Sequence, residues 1–229
     1  MDSRLRDRRQ AGQVLAQKLD SYARRSDTLV LGLARGGVPV AFEVARALGA
    51  PLDVFLVRKL GVPGYEELAM GAIAPGGVRI VNWKVVEALG VSQSQLDTVI
   101  RKEERELDRR ERLYRGTSPR LLVAGRVVVL VDDGLATGST MRVAVTALRE
   151  QHPARIVVGA PIAPPSICEE LADIADDVFC ARTPEPFYSV GLWYEDFSQT
   201  TDEEVRELLE LAAHERAEER GPRAPAPEP

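Results

Sequence analysis

Apolar residues fall along this chain in three patterns, and each predicts a different kind of element. Short unbroken runs, TLVLGL at 28 to 33, RVVVLV at 126 to 131 and a third at 155 to 161, are those of strands covered on both faces. Between them lie segments with helical spacing. GGVPVAFEVARALG at 36 to 49 reads as a turn into a helix closed by Gly49, and further helices are predicted at 139 to 150 and 165 to 174. PLDVFLVRK, 51 to 59, is read as the strand that completes the first strand-helix-strand unit, and a short strand at 177 to 181 follows the second. Such crossovers imply parallel strands with ligand sites at their carboxyl ends, so the fold class is α/β, with a doubly wound, mainly parallel sheet.

The remaining segments are less regular. Residues 4 to 24 carry Leu5, Val14, Leu15, Leu19 and Tyr22 at mainly helical spacing, which predicts a helix packed on an edge, and a last helix is placed near 201 to 213. LGVPGYEELAMGAIAPGGVRIV, 60 to 81, has Gly and Pro at its start and middle and reads as a mobile loop leading into a hairpin, a kind of segment that often covers a site. From 92 to 114 a long helix is predicted on a thin stripe of Leu96, Val99, Ile100, Leu107 and Leu113. Eleven of the twelve residues from 101 to 112 are charged with mixed sign, which favours a solvated face laced with i,i+4 pairs over a partner-docking surface. Residues 215 to 229 hold four prolines and no large apolar side chain and are expected to be a disordered tail.

Charge and cysteine content narrow the function classes. With 30 Lys plus Arg against 35 Asp plus Glu the net charge is −5, which argues against a dominant nucleic-acid or anionic-membrane surface. His152 and His214 are far apart in sequence with no ligand cluster about either, so protein-held zinc is not expected. Cys168 and Cys180 form neither a disulfide framework nor a C-x-x-C pair and fit a reducing compartment. The amino terminus is charged and nowhere do eighteen apolar residues run together, so the expectation is a soluble, cytoplasmic protein.

One stretch carries chemistry: VVVLVDDGLATGST, 127 to 140. A buried strand ends on two adjacent carboxylates, Asp132 and Asp133, which repel unless something positive or hydroxylic lies between them. A loop of small residues then opens a helix. Backbone N–H groups at a helix start suit a phosphate, Gly138 permits close approach, and Thr137, Ser139 and Thr140 add hydroxyl donors. A ribose 5-phosphate satisfies both halves, with its diol on the carboxylates and its phosphate on the cradle. A Walker loop and a G-x-G-x-x-G fingerprint are absent, and an Asp-Gly hairpin would need a strand where TMRVAVTALRE has helical spacing.

This stretch closely resembles the phosphoribosyl-pyrophosphate (PRPP) signature of type I phosphoribosyltransferases, and the order of elements over most of 28 to 200 is similar to that family's. The resemblance implies that Asp132, Asp133, Ala136, Thr137, Gly138, Ser139 and Thr140 bind PRPP. ARGG at 34 to 37 looks like the pyrophosphate loop, which assigns Arg35, Gly36 and Gly37 to the same ligand. VRKLGVPG, 57 to 64, is similar to the start of the mobile catalytic loop of adenine phosphoribosyltransferases, and would turn Arg58 and Lys59 to the pyrophosphate. Ala136 stands where the hypoxanthine enzymes have an Asp; adenine enzymes also have Ala and draw their acid from the mobile loop, where Glu66 and Glu67 are available here. FYSVGLWYEDF, 187 to 197, looks like the base-receiving hood of the hypoxanthine and guanine enzymes with one extra residue between Gly191 and Asp196, and offers Phe187, Tyr188 and Trp193 as base-stacking side chains.

The implied protein is a Mg2+-dependent phosphoribosyltransferase passing the phosphoribosyl group of PRPP to a nitrogen nucleophile, with Asp132, Asp133 and Asp196 as water-mediated metal contacts. Its domain would span 1 to 214, with a helical insertion at about 84 to 116 and a small hood at about 184 to 200, followed by the tail. PRPP and a small-molecule acceptor are the expected partners, neither a membrane nor nucleic acid is, and a homo-oligomer stays open. Two further readings remain: a PRPP- or nucleotide-sensing regulator of this fold, and an enzyme whose nucleophile is not a nucleobase.

Overall fold

The structure, a computed structural model, describes residues 4–116 and 119–219. Five parallel strands form the central sheet in the order β2-β1-β6-β7-β8: β1 (Thr28–Leu33), β2 (Leu52–Phe55), β6 (Val127–Val131), β7 (Arg155–Ile162) and β8 (Asp177–Arg182). The side-chain period of two divides each strand between two cores. On one face Leu29, Leu31, Val128 and Leu130 meet Met141, Val145 and Leu148 of helix α5 (Ser139–Arg149) and Leu171 of α6 (Pro165–Ala172). On the other, Val30, Val127, Val129 and Val131 meet Leu15 and Leu19 near helix α1 (Arg8–Lys18) and Val40, Val44 and Leu48 of α2 (Gly37–Leu48). Helices therefore cover both faces, as a doubly wound sheet requires.

Several sequence expectations are corrected here. The first helix does not begin at residue 4: Asp7 caps it by accepting from Gln10 N at 2.8 Å, so Arg8 is its first residue, and Asp20–Tyr22 form a separate 3-10 turn. Leu5 instead pairs with Tyr194, with Leu5 N donating to Trp193 O and Glu195 N to Leu5 O, each at 2.8 Å. Nor does α1 lie at an edge; it packs against α2 over the sheet, because Leu15 and Leu19 need cover on that face. The last helix, α7 (Asp202–Glu219), includes five residues expected in the tail, held by Arg46 to Glu215 at 3.3 Å and Arg216 to Gly49 O at 3.2 Å. Residues 220–229 of that tail lie outside the described residues.

The segment read as a mobile loop leading into a hairpin is a second sheet, with the hairpin present as its last two strands and a strand where the loop was expected. Strands β3 (Arg58–Val62), β4 (Tyr65–Ala74) and β5 (Val78–Val81) pair antiparallel, turned at Gly64 and at Gly76 and Gly77, all in the left-handed region. Arg58 and Lys59 thus start β3 rather than finishing β2, since the chain leaves the parallel sheet after Phe55. Leu60, Val62, Met70 and Ile73 fix this arm against Leu96, Ile100 and Leu107 of α4 (Gln93–Arg115), which follows the short α3 (Trp83–Ala88). The charges of α4 do form local pairs, Glu106 with Arg109 and Arg110 at 2.8 Å each, but others reach across: Glu104 to Arg79 of β5 and Glu103 to Arg58 of β3. Cys168 and Cys180, expected as free thiols, are joined in a disulfide, because α6 lies over β8 and brings them together. Among the described residues no helix is long and apolar enough to cross a membrane.

Candidate functional site

Strands β1 and β6 are neighbours in register, Gly32 beside Val131, yet the chain leaves β1 toward β2 and β6 toward β7, on opposite sides. That is a topological switch point, the place beyond the carboxyl ends where open α/β sheets bind their ligands. The loop after β1 carries Ala34, Arg35 and Gly36; the loop after β6 carries Asp132 to Gly138. They touch. A Cβ on Gly36 would collide with the Asp133 carboxylate, and one on Gly37 with Val131 O and Asp132, so paired glycines are what let the first loop lie on the acidic pair. In the second loop Leu135 is buried and its N–H donates to Ile162 O at 2.8 Å, which anchors the turn below an exposed rim of Ala136, Thr137, Ser139 and Thr140. Gly138, at φ +67° above Ile167, turns the chain into α5, and the Thr137 and Ser139 hydroxyls lie 2.9 Å apart at its start.

The partner that two adjacent carboxylates require is Arg8. Its Nε donates to Asp133 Oδ2 at 2.7 Å, its Nη1 to Ser198 O at 2.6 Å, and its guanidinium lies 4.1 Å from the centre of the Phe197 ring. Tyr194, buried and stacked on Phe197 at 4.9 Å, donates its hydroxyl to Asp133 O at 2.6 Å. Asp132 points elsewhere: its Oδ1 accepts from Asp133 N at 2.9 Å. The amino-terminal helix, the acidic loop and the hood therefore meet on one guanidinium.

Electrostatically the two carboxyls differ. Burial pushes the Asp132 carboxyl well above the ordinary range, and the charge of Asp133 adds to this. Burial also raises Asp133, but the Arg8 charge and hydrogen bond oppose it. Since the folded form of Asp132 holds its proton more tightly than the unfolded chain does, its contribution to stability is full below about pH 4 and is lost as pH rises through the folded value. Asp132→Asn should accordingly melt at higher temperature than the parent at neutral pH without ligand, the gap closing toward pH 4. A parent and variant that melt alike at pH 7 and 8 in calorimetry would remove the destabilising effect assigned to the ionised Asp132 carboxylate.

Other expected site residues are dispersed. Arg58 is turned onto Glu103, with Nε and Nη2 at 2.8 and 2.5 Å from Oε2, because the buried carboxylate on α4 needs a cation. Lys59 and Glu66 are exposed on β3 and β4, and the Glu67 side chain lies outside the described residues. Arg35 stays in its loop, 3.6 Å from Asp202 at the start of α7. Phe187 and Trp193 pack on the core beneath the hood, whereas Tyr188 is 78% exposed. Asp196 does not join Asp132 and Asp133, since among the described residues no three His, Cys, Asp or Glu side chains could hold a metal. Instead its carboxylate accepts from Ser198 N at 2.9 Å, a bond that holds it below the usual range. The residues not foreseen are Arg8, Tyr194 and Phe197. The two aromatics lie in the hood stretch already singled out, but nothing local separates Arg8 from Arg4, Arg6 and Arg9 beside it.

Fold and site together define an α/β protein with an acidic pair and a helix-start cradle at one switch point. Residues 4–191 match the family model described as a phosphoribosyl transferase domain, and the chain belongs to that family. It is 46% identical over 212 residues to Rv0571c of Mycobacterium tuberculosis, whose name places it in the same family; the match covers 93% of this chain and 48% of the relative, so the chain spans about half that protein's length. It is 34% identical over 125 residues to the bifunctional protein PyrR of Chloroflexus aurantiacus, covering 53% of this chain and 63% of that one. The crystal structure of TT1426 from Thermus thermophilus is similar at a TM-score of 0.79 and 42% identity, covering 90% of this chain and 97% of that one.

Proposed function

We propose that the protein transfers the 5-phosphoribosyl group of PRPP to a nitrogen nucleophile, a nucleobase in the first instance, with release of pyrophosphate. The observation that carries this is the contact between the two loops: Gly36 and Gly37 lie against Asp133 and Asp132 at the end of adjacent strands, so one ligand can touch both. In this reading the rim of Thr137, Ser139 and Thr140 takes the 5-phosphate, the acidic pair takes the ribose diol, and backbone N–H groups of the 34 to 37 loop with Arg35 take the pyrophosphate. Those donors meet growing negative charge as the C1–O bond breaks, so their effect is largest in the transition state.

Asp132 and Asp133 offer hard oxygen donors of the kind Mg2+ accepts, and Mg2+ keeps several waters and needs few protein ligands, which fits a site without a three-residue cluster. Bound with the pyrophosphate, the ion would neutralise the leaving group. With Ala136 unable to move a proton, a carboxylate of β4, Glu67 or Glu66, is assigned to share the acceptor's proton. Since the arm's strands pair antiparallel and pack on α4, bringing either carboxylate to the acceptor would require the arm to move as a unit rather than as a free loop. A cytoplasmic site of action accompanies a phosphorylated substrate, with the disulfide as the observation on the other side. A sensing regulator that binds nucleic acid would want a coherent basic face, and the mixed pairs of α4 do not make one.

Calorimetry with PRPP and Mg2+ tests the site. The parent should bind, and Asp133→Asn should bind about ten- to hundredfold more weakly, since charge-assisted hydrogen bonds worth about 1.5 to 3 kcal/mol are lost. Unchanged affinity in the variant would remove the diol assignment. In turnover with a base that the parent accepts, Glu67→Gln or Glu66→Gln should lower kcat by about 10²-fold or more while sparing PRPP affinity. Parent rates in both single variants and in the double variant would take the proton away from β4.

A further inference from the structure

Away from these loops, α4 and α7 diverge over the start of β2 and leave a groove of about 1220 Å3. Pro51, Leu52 and Arg126 line it, so it lies at the amino ends of the parallel strands, whereas Asp132 lies at the carboxyl end of β6. At about 3.3 Å per residue the six positions from Arg126 to Asp132 put the two places roughly 20 Å apart. Leu113, Leu121 and Leu209 make an apolar lining. Around it stand five arginines, Arg112, Arg115, Arg126, Arg206 and Arg216, against two carboxylates, Asp53 and Glu210. With Glu111 on Arg115 and Glu203 on Arg206 counted, cations exceed carboxylates by one, and the charge that can meet an anion is that of exposed Arg112 beside Arg126, which donates to the Asp27 and Thr28 carbonyls. Arg115 is held by Asp53 at 3.0 Å and by Glu111, and Arg206 lies 3.3 Å from Glu203 and 3.8 Å from Glu210, so these two are partly offset. Arg112 and the Arg206 side chain are exposed. The combination of apolar lining and convergent polar groups is that of a small-molecule pocket.

The groove is also connected to the candidate site. Tyr114, in its wall and 2% exposed, donates its hydroxyl to Asp202 Oδ1 at 2.6 Å. The same oxygen lies 3.6 Å from Arg35 Nη1 in the pyrophosphate-type loop. Asp202 opens α7, and later turns of α7 form the opposite wall. A ligand that moves α4 against α7 therefore acts on the residue that holds Arg35.

We propose that this groove is an effector site for a small molecule with an apolar body and an anionic group, coupled through Tyr114 and Asp202 to Arg35; the coupling half rests on the PRPP reading above. The probe is 1-naphthyl phosphate, measured by calorimetry beside 1-naphthol and inorganic phosphate. One molecule should bind per chain, at least about tenfold tighter than either fragment, because ring and charge are both engaged. Arg112→Ser/Arg206→Ser should weaken it by at least about tenfold with the fold intact by circular dichroism. Saturating probe should shift PRPP affinity by about fivefold or more, within the range of ordinary site-to-site coupling. Tyr114→Phe should keep probe binding and lose that shift. The assignment is overturned if PRPP displaces the probe one for one, if the double arginine variant binds it as the parent does, or if PRPP affinity is the same with and without it. Loss of all PRPP binding alongside intact, arginine-dependent probe binding falls on the transferase reading and supports the groove.

Discussion

Arg8→Met is expected to lower the free energy of unfolding by about 3 to 5 kcal/mol, the cost of removing one partner of a buried ion pair. The Arg8 and Asp133 side chains are only 12% and 15% exposed, so water screens them little. For a domain of this size the melting temperature should fall on the order of 10 °C. The variant loses more than the pair: the hydrogen bond to Ser198 O and the cation over Phe197 also go, so the hood loses its tie to the acidic loop. The direction with pH is set by Asp133, which burial raises and Arg8 opposes. Without Arg8 the folded carboxyl holds its proton more tightly than the unfolded chain does, and stability falls as pH rises above about 4. The deficit against the parent should therefore be small at pH 4 and grow toward pH 8. Arg8→Met/Asp133→Asn should recover part of the loss, which isolates the pair from the packing. A variant melting within about 2 °C of the parent at pH 8, under 1 kcal/mol for this size, would show the contact to be no more than a surface pair.

Reduction of the Cys168–Cys180 bond is expected to cost about 3 kcal/mol, the loop-closure entropy returned to the unfolded chain by opening a loop of sequence separation 12. A fall of roughly 6 to 12 °C in melting temperature follows for a domain of this length. The effect should reach the cradle. Ile167, next to Cys168, lies against Gly138, and Glu170 of the same helix pairs with Arg142 of α5, so loosening α6 loosens the floor of the loop at 134 to 138. The measurement is a thermal scan with and without tris(2-carboxyethyl)phosphine, beside Cys168→Ser/Cys180→Ser, with thiols counted by alkylation and mass spectrometry. Identical melting in all three samples, with the bond verified in the oxidised one, would leave the crosslink without a stabilising role.

Those two contacts lie where local reasoning stops. The strands at 28 to 33 and 127 to 131 are legible in the sequence because burial on both faces makes each an apolar run, a property of consecutive residues. The acidic pair, the small-residue loop and the helix after it are equally local, and α4 and α5 follow from side-chain period. That something positive or hydroxylic must lie beside the two adjacent carboxylates is also local, and from sequence alone that place falls to a sugar diol. That Arg8 lies there is not local, since it is 125 residues away and ordinary among its neighbours. Tertiary structure also decided the pairing of Cys168 with Cys180, the folding of 58 to 81 into an antiparallel arm, and the turning of Arg58 onto Glu103. In each case the deciding partner lies on another element, brought near by burial of apolar faces. Consecutive residues were enough to define the class of fold, the acidic pair and the small-residue loop after it; the packing of distant elements set which charges are spent on one another, Arg8 on Asp133 and Arg58 on Glu103.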